Sequence, residues 1–578
     1  MSRGATPRVK RRTASKGRLQ TLATNWRFML VQFSVAMLGL GLALRIASLQ
    51  VMPDVEQGYQ FLQHQGQVRT IREQEIPAYR GAITDRNGEP LAISTPLAAL
   101  WLNPSVFDLD DTSRLASALE IPYAELEKRL ARYQDSQFMY LRRGMSPAEA
   151  RKILDLKLPG LNVQTEYRRF YPEAEVTAQI VGLTDIDDRG IEGVELGFDS
   201  VLRGQSGSER VVKDLRGQVV ERLGLVKAVE PGSDIQLTID LRLQYIAYRA
   251  LKATVAKHQA KAASMVIMDP KTGEVLAMVS QPSFNPNSRD FNPNAMRNRA
   301  VVDSFEPGST VKPFTMAAAI EQRLVQPSTR VNTAPGYLRI DGNLIQDPVN
   351  YGELDVRTVL AKSSQVGTVK IAMEMEPAAL HDMFQRVGLG TPPGMGFPGE
   401  LGGVLPQRSR WSDIQQATFA FGYGLTATSL QLAQAYSVLA NDGIRISPRL
   451  VRGTAGIPDE RVMSAELAAT VRGMMVDVVD HGTGTRAQID GYSVAGKTGT
   501  GHLVGAGGYK DDRYASLFAG MVPADNPELV AVVVVTDPQA GDYFGGVVAA
   551  PVFSEVLSDA LRILRILPED SSQRVAAR

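Results

Sequence analysis

Uncharged, mostly apolar residues fill positions 28–44, and after Arg45 the same character continues through 46–52. A run without a polar face predicts a helix surrounded by lipid. At 1.5 Å per residue, positions 28–49 give a helix of about 33 Å, enough to cross a bilayer. Arg45 can snorkel outward, and Trp26 suits the interface. Residues 53–225 are more polar, with short patterns: a strand and Asn87-Gly88 turn within 80–92, a helical run over 112–131, and strands around Val211-Val212 and Val219-Val220 that lead to a boundary at Pro231-Gly232. From residue 234 the pattern becomes longer and more apolar. It predicts a strand at 235–239, an amphipathic helix at 241–257, and a hairpin of 263–268 with 274–279 around Asp269-Pro270-Lys271-Thr272-Gly273. A second strand pair, 516–521 and 529–536, and an amphipathic helix at 551–567 lie near the C-terminus. Helices fill the middle, including 426–441 closed by Gly443. Strands at both ends with helices between imply an α+β unit: an antiparallel sheet completed from both ends, carrying a helical insertion.

Charge assigns the ends. Residues 1–27 carry eight Lys and Arg and no acidic residue. This reads as a disordered basic tail held on the cytoplasmic side of the membrane helix. A cleaved signal peptide fits less well, because the apolar run is long and no small-x-small cleavage site follows. The expected division is a basic cytoplasmic tail at 1–27, a transmembrane helix at 28–50, a non-catalytic pedestal at 53–230, a second large domain at 231–567, and a tail at 568–578. Net charge of +1 and a pI near 7.8 argue against a nucleic-acid binder. With no cysteine there is no disulfide framework or Cys-based metal site, and the five histidines show no metal-ligand spacing. No metal or cofactor is expected.

One stretch carries chemistry. Glu306-Pro307-Gly308 break the chain, Ser309-Thr310-Val311-Lys312 follow, and Pro313 opens an apolar helical run. Proline is tolerated in a first helical turn, so Ser309 should lie at a helix N-terminus with Lys312 on the same face. A serine hydroxyl becomes a nucleophile when a base removes its proton, and a lysine serves as base only when neutral. Burial and the positive end of a helix dipole both favour the free amine. Ser-x-x-Lys also arises by chance, each residue simply solvated, so the motif needs context.

Two further polar stretches supply it: Ser363-Ser364-Gln365 at the start of a helical segment and Lys497-Thr498-Gly499-Thr500 on an apparent strand. Ser-x-x-Lys, a Ser-x-Asn-like triplet and Lys-Thr-Gly in this order resemble the signature of penicillin-binding proteins and class A β-lactamases. Lys271-Thr272-Gly273 and Ser283-Phe284-Asn285 imitate two of these motifs, but both precede Ser309, and the first is a hairpin turn. The resemblance extends over residues 27–566. Residues 80–92, Arg168-Arg169-Phe170-Tyr171-Pro172, Val181-Gly182 and 190–195 are similar to the pedestal of class B penicillin-binding proteins. Phe421-Gly422-Tyr423-Gly424 resembles their transpeptidase domain. The division-type subgroup, septal peptidoglycan D,D-transpeptidases, matches best, with elongation-type relatives as the alternative.

That resemblance implies an α+β fold: one N-terminal transmembrane helix, an elongated mixed pedestal, and a penicillin-binding/β-lactamase-like transpeptidase domain. It implies a peptidoglycan stem peptide ending in D-Ala-D-Ala as substrate and β-lactam antibiotics as inhibitors. Ser309 would be the nucleophile and Lys312 its base. Ser363 would relay a proton, and Lys497 would supply positive charge. The Ser309 and Thr500 amides would hold the oxyanion, and the Thr498 and Thr500 hydroxyls a substrate carboxylate. Gly499 would let an extended peptide approach the strand. Tyr423, Tyr514, Tyr543 and Phe544 would line the pocket, with His502 at its rim. The family further implies a SEDS-type glycan polymerase and other divisome membrane proteins as partners, and a catalytic domain outside the inner membrane. One departure stands out: Gln365 occupies a position where the family usually carries Asn. Its amide keeps the same donor and acceptor, carried further out by one methylene. A catalytically weak scaffold and a β-lactam hydrolase are the competing classes. The glycine-rich segment 501–513 is expected to be a mobile loop.

Overall fold

The computed structural model describes residues 17–51, 60, 71–214, 219–288, 290–407, 410–454, 457–505 and 508–568. Most of the basic tail and of the C-terminal tail therefore lies outside the described residues. The first helix runs Gly17–Val51 and includes Trp26–Gln50, a segment long and apolar enough to cross a membrane. It begins inside the stretch expected to be disordered. Leu, Gln and Ala in that stretch are sound helix formers, and an adjoining helix removes the cost of nucleation.

The pedestal is built on a long strand, Pro90–Leu102, paired antiparallel with Met139–Met145 on one side and Leu161–Phe170 on the other. The Asn-Gly turn before it has Gly88 at φ +94°, and Asp85 accepts from the amides of Asn87 (2.7 Å) and Glu89 (2.9 Å). The single helix expected over 112–131 is two, Thr112–Leu119 and Tyr123–Arg132. Pro122, which lacks an amide hydrogen and biases its predecessor away from helix, separates them.

Three of the stretches compared with a pedestal meet in one buried ion cluster. Glu195, fully buried, accepts from Arg80 Nε at 2.6 Å and from Arg169 Nε at 2.5 Å. Arg80 also reaches Asp199 at 2.6 Å. Two cavities of about 870 and 730 Å³ flank this cluster and not the polar motifs.

The second unit is a five-stranded antiparallel sheet in the order Val275–Gln281, Ala262–Met268, Leu529–Thr536, Gly508–Val522, Ala495–Gly505. Its inner strands read as unbroken apolar runs because both faces are covered. Met265, Ile267, Val533 and Val535 pack on the helices Leu241–Lys257 and Ala550–Ile563, while Val266, Met268, Val532 and Val534 face the helical insertion. The strand expected at 235–239 shrinks to Ile235–Gln236, which pairs parallel with Ile83–Thr84 and ties this unit to the pedestal. Segment 501–513 is no loop in its described part: the last two strands continue through it, with His502 opposite Tyr514 and Gly505 opposite Gly508. Residues 506 and 507 lie outside the described residues. The imitating motifs are structural. Lys271 pairs with Glu528 at 2.7 Å beside a turn with Gly273 at φ +75°, and Ser283 donates to the Glu175 carbonyl at 2.7 Å.

Removing Glu195 would strand two buried guanidinium groups. Glu195→Ala should destabilise the full chain by about 3–5 kcal/mol in urea unfolding followed in detergent. A loss within experimental error would show that the cluster is dispensable.

Candidate active site

Ser309 lies in a single 3-10 turn, Gly308–Val311, that runs directly into the helix Lys312–Glu321. The helix is buried along Phe314, Met316 and Ala317 to Ala319, so its start cannot drift. The turn is also held from outside. Tyr436, fully buried, donates its hydroxyl to the Thr310 carbonyl at 2.7 Å, and Gly308 N–H reaches the Gly422 carbonyl at 3.3 Å. Gly422 has φ +91°, and a Cβ there would stand 2.2 Å from the Gly308 carbonyl oxygen. A Cβ on Gly308 would lie 3.4 Å from the Thr500 carbonyl oxygen, so the turn and the last strand touch.

Lys312 points inward with no solvent exposure. Its Nζ donates to the Ser363 carbonyl at 2.7 Å and lies 3.3 Å from Ser363 Oγ. Burial pushes its ammonium down to about 7, opposed by the carboxylate of Asp347. A substantial fraction of the amine is thus free at neutral pH, as a base requires. Among the described residues its hydrogen bonds reach Ser363 and Ser364 and not Ser309 Oγ. Such contacts commonly tighten only when substrate is bound.

Ser363 sits between two helices, Val356–Ala361 and Gln365–Ala372, at φ +56°, a left-handed conformation that L-residues avoid. The strain is fixed by the residues that follow. Ser364 caps the second helix by accepting from Gly367 N at 2.9 Å. Asp347 accepts from Ser364 Oγ and from Gln365 N, both at 2.6 Å, and from Val366 N at 3.3 Å. The half-buried Gln365 is therefore anchored through its backbone.

From the opposite wall Lys497 Nζ reaches Ser363 Oγ at 2.9 Å and the Thr498 carbonyl at 3.0 Å. Lys497 is also fully buried. Burial and the neighbouring Lys312 push its ammonium well below the ordinary lysine range. Thr500 Oγ1 accepts from Gly545 N at 3.1 Å and keeps its own proton to donate. A Cβ on Gly499 would meet Thr310 Cγ2 at 2.8 Å and the Pro307 carbonyl oxygen at 3.0 Å, so the fit against the Ser309 turn requires its smallness.

The aromatic candidates form one wall. Tyr514 and Tyr543 stack at 4.0 Å, Tyr543 meets Phe544 at 4.4 Å, and His502 meets Tyr514 at 4.7 Å. Phe544 is 56% exposed. Tyr423 packs edge-on against Phe421 at 5.5 Å and lies against the His502 backbone and near Tyr514. The structure thus gathers Lys312, Ser363, Lys497 and Thr498 into one hydrogen-bonded set and lays Ser309 and Thr500 beside it. Sequence reasoning missed Asp347 and Tyr436. Asp347, the first residue after the strand Asn343–Gln346 and followed by proline, carried only a turn signal.

Residues 263–558 match the penicillin binding protein transpeptidase domain, and residues 75–237 match the penicillin-binding protein dimerisation domain. The chain belongs to the penicillin-binding protein transpeptidase family. It is 43% identical over 550 residues to the probable peptidoglycan D,D-transpeptidase PbpC of Pseudomonas aeruginosa, covering 94% of this chain and 96% of that protein. It is 42% identical over 555 residues to the peptidoglycan D,D-transpeptidase FtsI of Escherichia coli, covering 94% and 93%. The transpeptidase domain of Burkholderia pseudomallei penicillin-binding protein 3 is 40% identical, with a TM-score of 0.53 over 58% of this chain and 98% of that one. Penicillin-binding protein 3 of Mycobacterium tuberculosis, solved with aztreonam, gives a TM-score of 0.66 at 28% identity over 86% of this chain and 98% of that one. Like these relatives, the chain is a class B penicillin-binding protein of the division type and a peptidoglycan D,D-transpeptidase.

A lysine base acts only as the free amine. The rate of penicillin labelling should therefore climb with pH to a half-maximum near 7 and level off above it. Asp347 holds that value up, so Asp347→Asn should move the rising limb to lower pH while slowing the plateau. A limb that stays in place, read from labelling rates across pH 5–9, would remove Asp347 from the electrostatics of Lys312.

Proposed function

We propose that this chain is a membrane-anchored D,D-transpeptidase that cross-links stem peptides during septal wall synthesis through an acyl-enzyme on Ser309. The observation that carries this reading is the convergence of two dry lysines on one hydroxyl: Lys312 at 3.3 Å and Lys497 at 2.9 Å from Ser363 Oγ. Such an arrangement is costly to fold and serves proton movement. Ser309 Oγ attacks the carbonyl of the penultimate D-Ala, and its proton passes to Lys312. The Ser309 and Thr500 amides receive the oxyanion. Ser363 passes a proton to the departing D-Ala nitrogen, leaving an ester on Ser309. An amine from a neighbouring stem then attacks that ester, forms the cross-link and frees the serine. The terminal carboxylate of the donor stem rests on the Thr498 and Thr500 hydroxyls. Its negative charge is what lets Lys497 keep a proton in a buried site. A β-lactam carries a similar carboxylate and acylates the same serine, but its leaving group stays attached and blocks the second step.

The anchor and the pedestal complete the reading. The basic residues before Trp26 favour an N-terminus in the cytoplasm and a catalytic unit outside the inner membrane. The membrane helix and pedestal are the surfaces offered to a SEDS-type glycan polymerase and other divisome proteins. The division into 1–27, 28–50, 53–230, 231–567 and 568–578 remains our assignment of the domains.

Two variants test this function. Ser309→Ala should abolish both release of D-Ala from a stem pentapeptide and formation of cross-linked dimers by the full chain. Cross-linking that survives in Ser309→Ala would turn the assignment towards a scaffold. Gln365→Asn draws the amide back by one methylene, and a shift of about 1 Å can change rates by up to ~100-fold. The variant should therefore be acylated faster by a fluorescent penicillin, and an unchanged rate would mean that residue 365 does not tune the site.

A further inference from the structure

A cavity of about 460 Å³ opens next to the strand Ile235–Gln236, which ties the transpeptidase unit to the pedestal. It shares no residue with the Ser309 site. Thr238, the hairpin turn at Thr272 and Glu274, and the segment 449–454 line it. Backbone pairing fixes these walls. Thr238 N–H donates to the Leu450 carbonyl at 2.8 Å, Arg452 N–H to the Gln236 carbonyl at 2.9 Å, and Arg449 N–H to the Gly273 carbonyl at 2.8 Å. A Cβ on Gly273 would stand 2.4 Å from the Ser447 carbonyl oxygen, so the turn is pressed against that segment. The charges in the cavity do not balance. Glu274 is the one carboxylate in its lining, and Arg86 of the pedestal holds it at 3.0 Å, with Arg452 at 3.9 Å. Arg449 is half-buried, its Nε is buried without a hydrogen bond, and among the described residues its guanidinium pairs with no carboxylate. Three guanidinium groups thus share one carboxylate.

We propose that this cavity is a binding site for a phosphate group, held by Arg449 and Arg452. A guanidinium withdrawn from water is costly until an anion and its hydrogen bonds replace the lost hydration. Two guanidinium groups in excess match a phosphate, which carries between one and two negative charges near neutral pH and offers oxygens to more than one fork at once. A single carboxylate would leave one of the two unanswered. Thr272 adds a donor, because its Oγ1 accepts from Glu274 N–H at 3.2 Å and keeps its own proton to give. Neutralising Arg449 and Arg452 beside Arg86 removes repulsion across the junction, so a bound phosphate strengthens the hold of the pedestal turn on the transpeptidase unit. The same chemistry comes from two sources, the free ion and the headgroup of an anionic phospholipid. The site goes beyond the Ser309 reading and does not depend on it.

The test uses the full chain in a maltoside detergent, titrated with inorganic phosphate at constant ionic strength while hydrogen exchange is followed. Phosphate should slow exchange over 236–238 and 449–454 with one saturating midpoint. That midpoint should rise about tenfold in Arg449→Gln, the size expected for lost hydrogen bonds to a charged group. Arg452→Gln should raise it as well, and its side chain is 47% exposed, so this variant serves where Arg449→Gln does not fold. Unchanged exchange in the strands Ala262–Met268 and Leu529–Thr536 shows that a variant is folded. A second arm places the chain in nanodiscs of phosphatidylcholine or of phosphatidylglycerol, without added phosphate. Protection of the same segments in phosphatidylglycerol assigns the site to a lipid headgroup, and protection by inorganic phosphate alone assigns it to the free ion. Protection by neither, an equal effect of acetate, or a phosphate midpoint unmoved in a folded variant overturns the proposal.

Discussion

Two fully buried lysines that meet at one hydroxyl hold their protons less tightly than lysines in solvent, and the active site is organised by that constraint. Lys312 and Lys497 are each fully buried, and both reach Ser363. Desolvation lowers the affinity of each for its proton, and repulsion from Lys312 adds to it at Lys497. The consequence is chemical. Lys312 is available as a base near neutral pH, and Lys497 holds its proton less tightly than an ordinary lysine. Asp347, the carboxylate behind the Ser363 loop, keeps Lys312 from falling further.

The fold exists to hold three separate stretches against that pocket. Ser309 is fixed because its turn runs into a helix buried in the main core and is tied by Tyr436 and Gly422. Ser363 is held at φ +56° because Ser364 and Asp347 secure the helix that follows it. Lys497 lies on the last strand of a sheet whose first strands come from residues 262–281, so the sheet closes only when both ends of the domain are in place. A misplaced last strand would therefore take Lys497 away from Ser363 and remove one support of the Ser309 turn. The Cβ space at Gly308, Gly422 and Gly499 shows how closely these pieces meet.

Parts of this design follow from local rules and were legible in the chain. A broken loop, a Ser-x-x-Lys and a proline-led apolar run announce a buried helix start whatever surrounds it. The membrane helix and the five-stranded sheet likewise follow from periodicity. Features set by tertiary contact were not. Asp347 comes from a loop with ordinary turn residues, and only the folded chain brings it to Ser364. The glycines near residue 505 suggested a loop, yet pairing with the preceding strand extends the sheet there. The close fit of Gly499 against the Ser309 turn likewise arises from residues far apart in the chain. Over 112–131 the helical propensity hid the break that Pro122 imposes.

The central claim is that Ser309 is the residue that takes the acyl group. The most direct measurement is the intact mass of the full chain in detergent after incubation with a penicillin, beside Ser309→Ala. The account predicts one covalent adduct per wild-type chain, mapped to the peptide containing Ser309, and none in the variant. An adduct of equal yield in Ser309→Ala, or none on folded wild-type protein, would contradict it.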